Sequence, residues 1–79
     1  MKKSDLPNIL YDIIRSLGGR ADMMTVFEEF WRRYGATLTP PDPLFYTWNY
    51  DIRWAATELR KSGKMKSTHL CEKGIWETI

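Results

Sequence analysis

The stretch Asn49–Trp76, NYDIRWAATELRKSGKMKSTHLCEKGIW, decides how the rest of the chain is read. Trp48, Ile52, Ala55 and Leu59 recur at spacings of four, three and four, the apolar stripe of a helix. Arg60 and Lys61 supply a basic last turn and Gly63 a stop, the usual way a helix closes. A short run from Met65 to Ser67 follows, then a polar loop, then Ile75–Ile79, which alternates apolar and polar. The order is helix, tight glycine exit, hairpin. Glu72-Lys73-Gly74 is read as the hairpin turn, with Ile75 and Glu77 facing one way and Trp76 and Thr78 the other.

Working outward, the preceding segments read as support. Leu6, Ile9, Leu10, Ile13, Ile14 and Leu17 form the apolar face of a first helix, with Ser4 or Asp5 as N-cap and Pro7 in its first turn. Gly18-Gly19 ends it, and Arg20-Ala21 reads as a very short strand available to pair with the hairpin. Asp22 is placed to cap a second helix. Its buried positions are Met23, Phe27, Phe30 and Tyr34, with Met24, Val26 and Trp31 widening the face. Glu28–Arg32 and Glu29–Arg33 are spaced as i,i+4 pairs on a solvated face, and Gly35 ends the helix. Ala36–Pro43, ATLTPPDP, is a loop, because its prolines fit neither a helix interior nor a central strand. Residues 43–62 are either one long helix or a short turn followed by a helix from about Thr47.

Length and composition set bounds. A domain of this size buries only about 60% of its unfolded surface. Its core must therefore be dense, and 43% hydrophobic residues with four Trp can supply one. The reading is a single domain over residues 1–79. No apolar run approaches the ~18 residues of a membrane span, and the first residues lead straight into a polar helix start, unlike a signal peptide. The lone Cys71 excludes an internal disulfide, so an intracellular, cytoplasmic chain is expected. A net charge of +2 is too small to mark a nucleic-acid binder by itself. Its placement says more: Leu59–Cys71 carries Arg60, Lys61, Lys64 and Lys66 with no acid.

At 100° per residue from Ile52, the residues Phe45, Trp48, Ala55, Ala56 and Leu59 gather on the buried side of the central helix. Tyr50, Trp54, Thr57 and Lys61 point away, with Arg53 and Arg60 on one flank. An outward row of Tyr, Arg, Thr and Lys suits duplex DNA, since Arg and Lys neutralise phosphates and Tyr and Thr donate to them. Lys64, Lys66 and Lys73 on the following hairpin are then placed for the neighbouring backbone. Trp54 is expected to pack under the hairpin or against the N-terminal segment, and Trp76 to lie in the core. Enzymatic chemistry finds no support. His69 and Cys71 lack the three or four ligands of a zinc site, no glycine-rich phosphate loop occurs, and the acids are scattered. No cofactor is expected, and no metal.

These elements in this order predict an α+β, mainly α winged helix-turn-helix: three helices and a C-terminal β wing of two or three strands. The spans YDIRWAATELRKSGKM and KGIWETI also resemble the winged-helix domain at the N-terminus of Mrr-type restriction endonucleases. The similarity lies in Arg53-Trp54-Ala55, in Leu59-Arg60-Lys61-Ser62-Gly63, in Gly74-Ile75-Trp76 and in the paired Gly18-Gly19. It implies a DNA-binding module with a recognition helix at about 47–62 and a basic wing at 64–76; the expectation is a free-standing binder, regulatory or restriction-related, or a piece whose effector is another chain. Tyr50, Arg53, Thr57, Arg60, Lys61, Lys64, Lys66 and Lys73 would contact duplex DNA. The alternative is a protein-interaction or homodimerisation module of the same fold, favoured by the aromatic surface candidates Tyr11, Tyr46, Tyr50 and Trp54.

Overall fold

Three helices and a two-stranded antiparallel sheet make up the chain in a computed structural model that describes all residues, Met1–Ile79. Helix α1 spans Leu6–Ser16, strand β1 Arg20–Asp22, helix α2 Met23–Tyr34, helix α3 Leu44–Lys61 and strand β2 Ile75–Glu77. Single 3-10 turns lie at Lys3–Asp5, Gly35–Thr37 and Thr68–Leu70. No helix is long and apolar enough to cross a membrane.

Local chemistry explains most boundaries. Pro7 sits in the first turn of α1, where a missing N–H costs nothing. Asp5 precedes that helix without capping it; its carboxylate instead accepts from the Lys2 backbone N–H at 2.9 Å. Gly18 and Gly19 both adopt positive φ and turn the chain into β1. Asp22 caps α2, its Oδ1 accepting from the Thr25 N–H at 3.0 Å and its Oδ2 from the Thr25 hydroxyl at 2.7 Å. These bonds, the backbone one foremost, hold the Asp22 carboxyl below its ordinary range. Between the two alternatives for residues 43–62, the chain forms one continuous helix. It starts after Pro43, with the Asp42 carboxylate accepting from the Leu44 N–H at 2.9 Å. Gly63, at φ +78°, ends it as expected.

The core joins α1 to α2 and α3. Leu6, Leu10, Ile13 and Ile14 of α1 meet Val26, Phe27 and Phe30 of α2 and Ile52, Ala55, Ala56 and Leu59 of α3. Trp76 and Met65 close the sheet end, so the core placement of Trp76 holds. Phe45 and Trp48 are only partly buried, while Leu44 takes a fully buried place at the start of α3.

β1 and β2 pair antiparallel, with Arg20 opposite Glu77, Ala21 opposite Trp76 and Asp22 opposite Ile75. Trp76 and Thr78 face in and Ile75 and Glu77 are half-buried, the alternation read from the sequence. The Met65–Ser67 run adds only one bridge, Met65 to Thr78, flanked by bonds from Lys66 N–H to the Glu77 carbonyl and from Ile79 N–H to the Lys64 carbonyl. Gly74 makes the turn into β2 at φ +82°, and its carbonyl accepts from the Met23 N–H at 2.8 Å, tying the loop to the start of α2.

Two expectations are corrected. Met24 and Trp31 do not widen the buried face of α2: they are 59% and 45% exposed. The core covers the side of α2 centred on Phe30, and the flank about 100° around from it is covered only in part, by the Trp48 ring. Arg32 pairs with Glu29, not Glu28, so Glu29 accepts from both Arg32 and Arg33. Hydrogen bonds from Arg32 and then Arg33 pull its carboxyl down to about 2. Gly35 ends α2 as expected, with ordinary helical angles, φ −57° and ψ −38°. A Cβ there would lie 2.8 Å from the Trp31 ring.

Candidate nucleic-acid interface

The outer side of α3 carries Tyr46, Tyr50, Arg53, Thr57 and Lys61 at spacings of four, three, four and four, all exposed. Along one helix this spacing makes a single ridge. Tyr50, Arg53, Trp54, Thr57, Glu58 and Lys61 line one shallow depression of about 340 Å³. Four of the residues read from the sequence as DNA-contacting therefore share a surface: Tyr50, Arg53, Thr57 and Lys61. Tyr46 extends the row by a turn; the 100° rule reaches it once the helix is known to begin at Leu44.

The polar heads on this surface are partly engaged. Lys61 Nζ lies 3.3 Å from the Glu58 carboxylate, an acid inside the depression that the outward-face reading passed over. The Thr57 hydroxyl donates to the Arg53 carbonyl at 3.3 Å, so its one proton must leave that carbonyl before it can be donated to a phosphate. Arg53 has no ion pair, and its guanidinium rests 5.7 Å from the Phe27 ring centroid. Trp54 is half-buried against the N-terminal segment, one of the two places expected for it. The ammonium of Lys3 sits 4.6 Å from its ring centroid.

Lys3 also reaches Asp51, which is 6% exposed and accepts from the Thr47 hydroxyl at 2.7 Å. Sequence periodicity gave no sign of this buried acid, because the cation that makes it tolerable comes from the far end of the chain.

The wing cations fall into three environments. Arg60 is half-buried and its Nε donates to the Lys66 carbonyl at 3.3 Å, so it braces the segment after α3. Lys66 Nζ is 2.9 Å from Glu77, whose other oxygen lies 3.6 Å from Arg20. Lys64 is exposed, with its ammonium 5.9 Å from the Tyr11 ring centroid on the α1 side. Lys73 is exposed and forms no ion pair; it lines a cavity of about 310 Å³ with Arg60, Glu72 and Trp76. His69 is exposed and Cys71 half-buried in the same loop, and no third metal-ligating residue gathers with them. Comparison with protein-family models, with curated proteins and with solved structures finds no match to this chain.

Proposed function

We propose that this chain is a winged-helix module that binds duplex DNA, with α3 in the major groove and residues 64–76 as the wing. The observation that carries the reading is the exposed row Tyr46, Tyr50, Arg53, Thr57 and Lys61 along one side of an 18-residue helix. A helix of that length runs about 27 Å and fits the groove, where such side chains donate to phosphates and base edges. The element order supports the fold assignment: helix, short strand, two helices, then a segment that bridges to the last strand, which itself pairs with the first. The resemblance to the N-terminal module of Mrr-type restriction endonucleases points the same way. In this reading the chain is a binder rather than an enzyme.

The engaged lysines do not weigh heavily against it. Lys61–Glu58 and Lys66–Glu77 are ion pairs with partly exposed partners. Such pairs are worth at most about 1 kcal/mol and exchange readily for phosphate. Arg60 is the exception, since its bond to the Lys66 carbonyl gives it a structural task.

The test is fluorescence anisotropy of a labelled random-sequence duplex titrated with the protein at about 50 mM and 200 mM salt. Binding should weaken steeply with salt, and Arg53→Ala and Lys61→Ala should each remove about one contact from the slope. Absence of binding at the lower salt, or a slope untouched in the double variant, would overturn the assignment. A second reading, a protein-interaction module, rests on the two tyrosines of the same row, 73% and 71% exposed at Tyr46 and Tyr50. It predicts no salt-dependent DNA binding.

A further inference from the structure

A second site lies at the last turn of α3, under the loop that leads to β2. Arg60 and Lys73 line a recess of about 310 Å³ there, with Ile75 and Trp76 as its apolar wall. No residue is shared with the depression on the outer side of α3.

The cations of this recess lack partners. Arg60 is half-buried, and its Nε is engaged by the Lys66 carbonyl at 3.3 Å. The remaining guanidinium N–H groups meet no acceptor in the chain. Glu72, the one acid of the recess, lies 3.8 Å from Arg20 instead. Lys73 forms no ion pair, and the backbone N–H groups of Lys73 and Gly74 donate to no carbonyl. Thr68 adds a hydroxyl. A guanidinium taken partly out of water is stabilised by an anion, and leaving it without one costs free energy. Arg60 is held by one nitrogen with the rest of its fork open, the form in which arginine grips two oxygens of one phosphate.

Charge and the apolar wall narrow the choice of anion. Two unpaired cations suit the nearly double charge of a phosphomonoester at neutral pH, whereas a carboxylate or a backbone phosphodiester brings one. Half-buried Ile75 and the core residue Trp76 give the body of such an ester an apolar surface.

We propose that this recess binds a small phosphomonoester, with the Arg60 fork and Lys73 on the phosphate oxygens and Ile75 and Trp76 against the body. Nothing in this site depends on DNA binding.

Cys71, the one thiol of the chain, lines the same recess half-buried and reports its occupancy. Its alkylation by iodoacetamide, an uncharged reagent, is timed with phenyl phosphate or inorganic phosphate added, against sodium chloride of equal ionic strength. The expected result is saturable protection by both, with phenyl phosphate acting at several-fold lower concentration through the apolar wall. The Lys73 and Gly74 amide signals in two-dimensional NMR should move over the same range. Lys73→Met, at an exposed position, should raise the concentration needed about tenfold and leave the thermal midpoint unchanged. Arg60→Lys, which keeps the charge and loses the fork, should weaken protection as well. No protection beyond the chloride control, or protection untouched by Lys73→Met, would overturn the proposal. Equal protection by a duplex with 5′-hydroxyl ends, which offers only phosphodiesters, would overturn the choice of ester and move the site to the DNA strand.

Discussion

Gly35→Ala separates two reasons for a glycine, and its outcome follows from distances. At φ −57° and ψ −38° the backbone is helical, where Ala normally gains about 0.5–1 kcal/mol over Gly. Against this, the new Cβ would sit 2.8 Å from Cδ2 and Cε2 of Trp31 and 3.2 Å from Cε3. Either the backbone shifts, at the ~1–3 kcal/mol of an overpacked site, or the half-exposed ring swings off Trp48 and loses about 0.5–1.5 kcal/mol of stacking. The ring has the cheaper route. Gly35→Ala should therefore range from about 0.5 kcal/mol stabilising to about 1 kcal/mol destabilising in the native background. With Trp31→Ala already present the clash is gone, and the same substitution should stabilise by about 0.5–1 kcal/mol. Urea unfolding of the four proteins, followed by far-UV circular dichroism, gives the coupling, expected at about 0.5–1.5 kcal/mol, the stacking lost only where the ring is present. Equal stabilisation by Gly35→Ala in both backgrounds would refute the argument that the indole claims this position.

Other perturbations probe the core, the buried acid and the charges. Phe30 is fully buried and stacked on Trp48, so Phe30→Ala should cost about 3–5 kcal/mol, a large share of the stability of a 79-residue domain, read as a lower urea midpoint by circular dichroism. Thr47→Val removes the hydroxyl donor from buried Asp51 and leaves only Lys3 at 3.6 Å; a loss of about 1–2 kcal/mol in urea unfolding is expected, and none would show that Asp51 is solvated. Glu29 titrates at about 2 against an ordinary 4.5, so its pairing with Arg32 and Arg33 stabilises the fold above pH 4.5 and is lost as pH falls toward 2. Asp22 shifts in the same direction. Thermal melts should fall across that window, and Glu29→Gln should lower the midpoint near neutral pH while flattening the fall; parallel curves would contradict this.

What could be read from residues alone was whatever short-range rules determine. The Asp22 cap needs only Thr25, the exit at Gly63 only its own φ, and the phase of Trp76 and Thr78 only the pleat. Even the short strand at Arg20 was legible, since two glycines before it and a cap after it leave little else. Where the reading went astray, the missing information was tertiary. A helical apolar arc has a width but no mark of which edge a neighbour covers, so Met24 and Trp31 were placed inside. The burial of Asp51 drew no reading at all, because its partner Lys3 lies at the other end of the sequence. Gly35 does end α2 as read, but the ring one turn back that claims the position left no mark in the sequence.

For the proposed interface, helix geometry gives the direction of each Cα–Cβ bond but not where a long side chain docks its charge. Tyr50, Arg53, Thr57 and Lys61 could be grouped from spacing; the bond of Arg60 to the Lys66 carbonyl and the pairs Lys61–Glu58 and Lys66–Glu77 could not. That difference has a measurable consequence. Arg53, Lys64 and Lys73 carry no ion pair, whereas Lys61 and Lys66 must release a carboxylate before they can hold a phosphate. If only the three free cations touch DNA, log K should fall with log salt at a slope near −2.7 per copy; if both pairs open, the slope should approach about −4.5. Exposed pairs cost at most about 1 kcal/mol to break, so the steeper value is expected. Substituting Glu58 and Glu77 by Gln then discriminates: affinity should rise, because the lysines start free, while the slope stays near its steep value. A slope shallower than about −1, unchanged by those substitutions, would mean that this face does not meet the phosphate backbone at all.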